Sequence, residues 1–264
     1  MIVDFDPVAF RIFGWPIHWY GLTYLIGFSA SWGLARYRVA KGMVDWKPIE
    51  VDDLLFYAGL GAILGGRIGY MFFYNFPVLA HDPISFFKVW EGGMSFHGGL
   101  LGVLAGMWFF NRRFKKGYFN IVDFLALYVP LSILSVRIGN FINGELWGKV
   151  SDVPWAMVFP ASGSNLPRHP SPLYEAFLEG VVLFIVLWIV SAKPKPTMTL
   201  SAVFAIGYGV ARFAVEFVRL PDAHIGYLAF GWLTMGQVLT LPLIIAGLIL
   251  LWFAYRPLSM KMKR

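Results

Sequence analysis

Seven apolar runs dominate the chain, and no other feature of the sequence restricts its fold as strongly. A helix that crosses a bilayer needs about 20 mostly apolar residues. The runs cover 16–37, 52–74, 96–111, 120–142, 173–192, 199–219 and 233–255. Hydrophobic residues make up 58% of the chain and charged residues 14%, whereas soluble domains average about 45–50% and 25%. The sequence therefore predicts an all-α integral membrane protein, a bundle of seven transmembrane helices forming a single membrane domain, 1–264.

Lysine and arginine residues fall mainly in alternate loops between these runs. One set of loops, with the C-terminal tail, contains Arg36, Arg38, Lys41, Lys47, Arg112, Arg113, Lys115, Lys116, Lys193, Lys195, Arg256, Lys261, Lys263 and Arg264. The opposite set contains Arg11, Lys88, Lys149, Arg168 and Arg219. Because cytoplasmic loops are enriched in Lys and Arg, we predict a periplasmic N-terminus and a cytoplasmic C-terminus. The longest stretch between runs, 143–172, is then a small extracytoplasmic head, too short to bury a core of its own.

Composition excludes several classes of function. The net charge of +7 comes from cations dispersed between apolar runs, so no basic face is predicted to bind nucleic acid. The chain has no cysteine, which excludes disulfides and a thiol nucleophile of its own. The histidines show no spacing typical of a metal site, and neither metal nor cofactor is predicted. The first six residues are acidic rather than basic, which argues against a cleavable signal peptide.

Three arginines lie inside the apolar runs, where each costs about 2.5–3.5 kcal/mol to insert. Arg67, Arg137 and Arg212 all lie in runs predicted to go from the cytoplasm outward, and all reach a similar depth near the outer leaflet. Two interpretations are open. Each arginine can form a structural ion pair, as Arg212 can with Glu216 one turn away. Alternatively, the three guanidinium groups form an anion site, for which a phospholipid headgroup is the natural ligand.

Polar residues at helical spacing favour the anion site. Asn140 shares a helix face with Arg137, and Tyr208 and Glu216 share one with Arg212. His97 opens the third run at the level of the arginines, where it is either a structural residue or a base. Tyr20 lies at the outer end of the first run, on the same side, where an aromatic belt is the alternative explanation. Glycine stripes at Gly61, Gly65, Gly69 and at Gly98, Gly102, Gly106 predict close helix packing.

Several motifs together resemble one family. The sequence RIGNFINGELWG at 137–148 is followed by RHPS at 168–171, and HWYG, GGRIGY and GMSFHGGL precede it at 18–21, 65–70 and 93–100. Tyr174-Glu175, Gly207-Tyr208-Gly209 and the segment 212–216 complete the set. In this order they resemble the bacterial prolipoprotein diacylglyceryl transferases over nearly the whole chain. One departure is Val136, where the family signature usually has glycine.

The resemblance implies an activity, a location and two substrates. Members of this family transfer the diacylglyceryl group of phosphatidylglycerol to the lipobox cysteine thiol in the signal peptide of a preprolipoprotein. A thioether forms and glycerol 1-phosphate leaves, as the first step of lipoprotein maturation. The family fold is a seven-helix bundle in the bacterial inner membrane with an extracytoplasmic head, and its active site is expected toward the periplasmic leaflet.

The same resemblance assigns roles to the polar residues. Arg137 and Arg212 are expected to stabilise charge on the leaving phosphate, and His97 to accept the thiol proton, with Tyr20 or Glu145 as alternatives. The remaining substrate-binding residues are expected to be Asn140, Tyr208, Glu216 and Arg67, with Glu216 holding Arg212.

Two other classes remain as alternatives. A transporter or flippase for anionic phospholipids would also carry arginines at depth, but it would typically show inverted repeats, and the chain shows only an Arg-Ile-Gly echo at 67–69 and 137–139. A seven-helix receptor would need a cytoplasmic partner, and the predicted cytoplasmic loops are short.

Overall fold

A computed structural model describes residues 1–88, 92–221 and 226–256, and this part of the chain is mostly helical. The helices are α1 (Trp19–Ala40), α2 (Pro48–Phe73), α3 (Phe76–His81), α4 (Phe96–Phe114), α5 (Tyr118–Ala126), α6 (Val129–Ile142), α7 (Ser171–Glu175), α8 (Leu183–Ser191), α9 (Thr199–Val215) and α10 (Met235–Tyr255). A π-helical segment, Ala176–Val182, joins α7 to α8 without a break. Short 3-10 turns cover Pro83–Phe87 and Pro160–Ser162.

Among the described residues, three small antiparallel sheets accompany the helices, and the sequence did not predict them. Each has two strands. The strands are β1 (Val8–Ile12) with β2 (Trp15–His18), β3 (Met157–Val158) with β4 (Pro167–Arg168), and β5 (Tyr227–Ala229) with β6 (Leu233–Thr234). The first predicted run therefore starts too early, because 16–18 belong to β2. Short strands next to an apolar helix are hidden by the apolar composition that the two elements share.

Membrane insertion is supported by helix length and composition. Three helical stretches of the described chain are long and apolar enough to cross a bilayer: Pro48–Phe73, Ser171–Ser191 and Met235–Tyr255. A fourth results if α5 and α6, which bend by 44° at their junction, are one span. The bend coincides with Pro130, whose ring is incompatible with an uninterrupted helix. Helices overlap all seven predicted runs, while seven membrane crossings remain a prediction.

The chain divides into two compact units. One comprises Met1–Ser31 with Val122–Arg264, and the other is Trp32–Ile121. In the second unit, α2 packs on α4 through the predicted glycine stripes. A Cβ atom at Gly61 would overlap the carbonyl oxygen of Gly102, and one at Gly65 would overlap that of Gly98. The two backbones therefore touch along this seam, which only glycine permits.

Replacing Gly61 with alanine should destabilise this unit by about 1–3 kcal/mol, because the new methyl group must push α4 away. Gly59 lies on the same helix, and a Cβ atom added there would have no neighbouring atom within 4 Å. The Gly59→Ala variant is therefore a matched control, and it should be as stable as the parent or slightly more stable. Thermal unfolding in lipid nanodiscs measures both, and equal transition temperatures for the two variants would contradict the packing.

The first unit contains the segment predicted to form the head. Its β3–β4 pair is extended by the chain's N-terminus, where Val3 N donates to Val158 O at 2.8 Å. Phe159 is fully buried, with ring centroids 6.2 Å from both Phe141 and Trp147. Phe141 belongs to α6, so the segment 143–172 shares its buried aromatic cluster with the helix before it, as its short length requires.

Candidate functional site

Two acidic residues lie inside the apolar stretch Ser171–Ser191. Glu175 ends α7 and Glu179 lies one turn later in the π-helical segment, and neither has any exposed surface. Single π turns inside helices are rare and occur frequently at functional sites. Two carboxylates buried in an apolar helix require cationic partners, and the first unit supplies them.

Arg137 of α6 and Arg212 of α9 meet on Glu175. Arg137 Nε lies 2.9 Å from Glu175 Oε2, and Arg212 Nη1 donates a hydrogen bond to Glu175 Oε1. Glu179 lies slightly farther away, 3.6 Å from Arg137 Nη2 and 3.9 Å from Arg212 Nη1. The two arginines singled out by sequence are therefore neighbours, each on a different oxygen of one carboxylate.

Glu216 and Arg219 complete this group. Glu216 Oε1 lies 2.5 Å from Arg212 Nη2 and 3.2 Å from Arg219 Nη1. Its other oxygen accepts a 2.6 Å hydrogen bond from Thr234 Oγ1. The predicted pairing of Arg212 with Glu216 is thus present in the structure. We call the six residues Arg137, Arg212, Arg219, Glu175, Glu179 and Glu216 the Arg–Glu cluster.

Charge in the Arg–Glu cluster is balanced, but its hydrogen bonding is incomplete. Within the described chain, Nη1 of Arg137 has no hydrogen-bond or ion-pair partner, and the side chain is 19% exposed. Both Glu179 oxygens are buried without a hydrogen bond from any described residue. Arg137 is also the most exposed cation of the cluster. An anion that enters the cluster therefore finds its accessible donor at Arg137.

Asn140 and Glu145 are held together near Arg137. Asn140 lies three residues after Arg137 on α6, is 4% exposed, and donates from Nδ2 to Glu145 Oε1 at 2.7 Å. The backbone supports this contact, because Glu145 N donates to Asn140 O at 3.1 Å. Gly144 has φ +62°, which lets the chain turn back immediately before Glu145.

Tyr208 and Tyr20 lie in the same unit. Tyr208 is one turn before Arg212 on α9, and its ring stacks on Phe204 at 5.9 Å. Tyr20 lies near the start of α1, where its hydroxyl is 3.2 Å from that of Tyr24. The predicted roles of both tyrosines remain predictions.

Arg67 has a different environment from Arg137 and Arg212. It belongs to the second unit, is 4% exposed, and directs all five of its N–H donors at backbone carbonyls. The acceptors are the carbonyl oxygens of Phe86, Gly92, Gly93, Ser85 and Lys88. A guanidinium with no donor left cannot bind a phosphate without breaking these bonds, so the structure favours a structural role over the predicted headgroup contact.

His97 also belongs to the second unit. It lies in the first turn of α4 with an exposed side chain, next to the cap in which Ser95 Oγ accepts from Gly98 N. Its predicted role as base remains a prediction.

His169, in the RHPS motif, lies outside the membrane-spanning segments. Its Nδ1 is 3.1 Å from the Tyr174 hydroxyl. Burial, followed by the positive charge of Lys149, lowers the pKa of His169 below its usual value. Both effects favour the neutral imidazole, which can still form the hydrogen bond to Tyr174.

Comparisons with known proteins identify the family of this chain. A sequence model of the family described as prolipoprotein diacylglyceryl transferase matches residues 7–253. The chain belongs to that family. A family member from Methylococcus capsulatus is 57% identical over 251 residues, covering 95% of both chains. Those from Azotobacter vinelandii and Solidesulfovibrio magneticus are each 55% identical, covering 95% and 94% of both chains respectively. All three are named phosphatidylglycerol–prolipoprotein diacylglyceryl transferase.

In this member of the prolipoprotein diacylglyceryl transferase family, sequence reasoning missed three residues of the cluster. Glu175 appeared only as part of a motif, Glu179 was not considered, and Arg219 was counted as a loop cation. The sequence did contain a sign of the two acids. Two carboxylates four residues apart inside an apolar run are as unusual as an arginine inside one. Arg219 does lie beyond the end of α9 at Val215, as a loop cation should, but its contact with Glu216 was not predicted.

Proposed function

We propose that the protein transfers the diacylglyceryl group of phosphatidylglycerol to the lipobox cysteine thiol of a preprolipoprotein, releasing glycerol 1-phosphate. Family membership and the names of relatives at 54–57% identity support the reaction. The observation that carries the site is the contact of Arg137 and Arg212 with opposite oxygens of Glu175. That contact fixes two guanidinium groups side by side in an apolar environment, where electrostatic stabilisation is strongest.

The reaction is a displacement at a glycerol carbon of the lipid. The cysteine sulfur attacks the carbon that bears the phosphate ester, a C–S bond forms as the C–O bond breaks, and the electron pair of that bond goes to the phosphate oxygen. The leaving glycerol 1-phosphate therefore gains negative charge in the transition state. The thiol proton goes to a base, because a thiol with a pKa near 8.5 is a weak nucleophile until it is ionised.

Arg137 is proposed to make the direct contact with the phosphate through Nη1. Arg212 is proposed to hold Glu175 and Glu216 in place and to add its positive charge to the same region. Asn140 and Tyr208 are proposed to position the headgroup, since each lies within one turn of one of these arginines on α6 or α9. The five carbonyl contacts of Arg67 support removing it from this set.

The identity of the base stays open between His97, Tyr20 and Glu145. If His97 is the base, the His97→Gln variant should lose about 10²–10⁴-fold in rate and the acidic limb of its pH profile should flatten. The measurement is the rate of thioether formation from pH 5.5 to 9. An unchanged rate and profile would remove His97 from this role and leave Tyr20 and Glu145.

Incubation of the purified protein in nanodiscs with phosphatidylglycerol and a lipobox peptide tests the function. Mass spectrometry should detect a peptide heavier by one diacylglyceryl group, and a peptide with serine in place of the lipobox cysteine serves as control. The alternative is a phospholipid transporter or flippase. Movement of labelled lipid between leaflets of proteoliposomes without any thioether product would favour that alternative and overturn the proposed transfer.

We also propose the predicted topology, with seven crossings, a periplasmic N-terminus, a cytoplasmic C-terminus, and 143–172 as the extracytoplasmic head. The alternation of cations along the chain supports it. Because the protein has no cysteine, labelling of single-cysteine variants shows directly on which side of the membrane each position lies. Asn165→Cys should react with an impermeant maleimide in spheroplasts, and Lys115→Cys should react only after lysis. The reverse pattern would overturn the topology.

A further inference from the structure

Two hairpins in the first unit end in the same three residues. The β1–β2 hairpin turns at Phe13-Gly14-Trp15, and the β5–β6 hairpin turns at Phe230-Gly231-Trp232. The two hairpins lie at opposite ends of the sequence. Their identical turn residues therefore do not come from one shared segment of the chain. Neither tip belongs to the Arg–Glu cluster, and the proposed transfer reaction uses neither.

The backbone at both tips disfavours phenylalanine. Phe13 and Phe230 have φ of +48° and +55°, and the glycines after them have φ of +84° and +70°. Two consecutive positive φ values are typical of type I′ turns, where Asn-Gly or Asp-Gly is the preferred pair. A side chain other than Gly, Asn or Asp is uncommon in this region. A requirement other than turn formation therefore accounts for phenylalanine at both positions.

These phenylalanine side chains contact little of the protein. Phe13 is 99% exposed and Phe230 is 83% exposed. Trp15 is 77% exposed, and Trp232 is 42% exposed with its ring stacked on Phe217 at 5.6 Å. Large exposed apolar side chains grouped at one point mark an interaction site with an apolar partner.

Each hairpin continues directly into a helix with exposed apolar side chains, which on α1 include Leu25 and Ile26. Strand β2 ends at His18 and α1 starts at the next residue, while β6 ends at Thr234, whose side chain caps α10. Helix α10 is apolar enough to cross a bilayer, and 11% of its most apolar stretch of 18 residues is buried inside the protein. At about 3.3 Å per strand residue, the phenylalanine of each tip lies within roughly 20 Å of a helix start. The lipid surface of the helix is therefore the partner that the tips can reach.

We propose that the two Phe-Gly-Trp tips are membrane anchors that insert into the interfacial region of the bilayer. Phenylalanine supplies apolar surface for the acyl-chain boundary, and tryptophan prefers the headgroup level above it. With the topology proposed above, both helices start at the periplasmic face. The two anchors then hold the first unit, which contains the Arg–Glu cluster, against the leaflet that supplies the phospholipid.

Single-cysteine spin labelling tests the anchors, since the protein has no cysteine of its own. The variants Phe13→Cys and Phe230→Cys are labelled in nanodiscs containing phosphatidylglycerol, and collision rates with oxygen and with a water-soluble nickel chelate are compared. Ile245→Cys, an exposed position on α10, serves as the lipid reference, and Asn165→Cys serves as the water reference. The oxygen-to-nickel ratio at both tips should be at least threefold higher than at position 165 and should approach that at 245.

Two results would overturn the proposal. A tip whose ratio equals that at 165 lies in water and is not an anchor. Spin–spin broadening at the tip labels, relieved by dilution with unlabelled protein, would identify a second copy of the chain as the occupant.

A second variant separates insertion from folding of the hairpin. In Phe13→Asn/Trp15→Cys, the turn has its preferred Asn-Gly pair but lacks the apolar tip. The label at position 15 should become at least twofold more accessible to nickel than in Trp15→Cys alone, while circular dichroism stays unchanged. Equal accessibility in both would show that the tip residue does not hold the hairpin in lipid.

Discussion

The Arg137→Lys variant should transfer diacylglyceryl groups about 10²–10³-fold more slowly than the parent, the loss typical when one preorganised donor to a developing anion is removed. Lysine keeps the charge, but its ammonium is a single point. It cannot contact Glu175 at 2.9 Å and at the same time offer a free nitrogen to the phosphate, as Nε and Nη1 of Arg137 do. Because the charge develops as the C–O bond breaks, kcat should fall more than KM for phosphatidylglycerol rises.

Initial rates of thioether formation, measured by mass spectrometry at varied concentrations of phosphatidylglycerol, give kcat and KM separately. Arg36→Lys is the control, since Arg36 also pairs with a carboxylate, Asp52 at 2.6 Å, but is 42% exposed and lies outside the Arg–Glu cluster. That variant should keep the parent rate. Parent-like rates for both Arg137→Lys and Arg212→Lys would contradict charge stabilisation by the Arg–Glu cluster.

The Glu175→Gln variant should lose about 3–5 kcal/mol of stability, the usual consequence of removing one partner from a buried ion pair. Glu175 has no exposed surface, and Arg137, Arg212 and Arg219 all lie within 4 Å of its carboxylate. An amide removes the charge that all three guanidinium groups share. Transfer should be lost as well, because Arg137 and Arg212 are no longer fixed side by side.

Glu179→Gln is the comparison, as it makes the same change one turn away. The closest guanidinium nitrogen to Glu179 lies at 3.6 Å, and neither of its oxygens accepts a hydrogen bond from a described residue. Its effect on stability should therefore be clearly smaller. Denaturant unfolding in matched detergent micelles measures both variants. Equal losses would show that the cluster is not organised around Glu175.

The three arginines inside the apolar runs show how much the sequence alone predicts. The apolar runs, the helices over them and the unusual position of Arg67, Arg137 and Arg212 all follow from local composition. The family also follows, because the RIGNFINGELWG segment and the other motifs resemble it closely, and the comparisons confirm that resemblance. The sequence did not show that Arg67 has a different role from Arg137 and Arg212. The partners of Arg67 are backbone carbonyls, and every residue of the chain has one.

The acids of the cluster were missed for a related reason. Glu175 is 37 residues from Arg212 and 38 from Arg137 along the chain, so no helical spacing connects them. The one pair that spacing predicted, Arg212 with Glu216, is an i, i+4 contact on one helix surface. Local periodicity predicts local pairs, and contacts between helices depend on how the helices pack.

The sequence by itself determined that this chain enters a membrane, which stretches are helical, and which family it belongs to, because hydrophobicity and motif identity are properties of consecutive residues. The tertiary structure alone decided that Glu175 joins three arginines, that Arg67 holds backbone carbonyls, and that two Phe-Gly-Trp turns are exposed. Those outcomes depend on which surfaces meet when the helices pack, and a linear pattern contains no record of distances between remote residues.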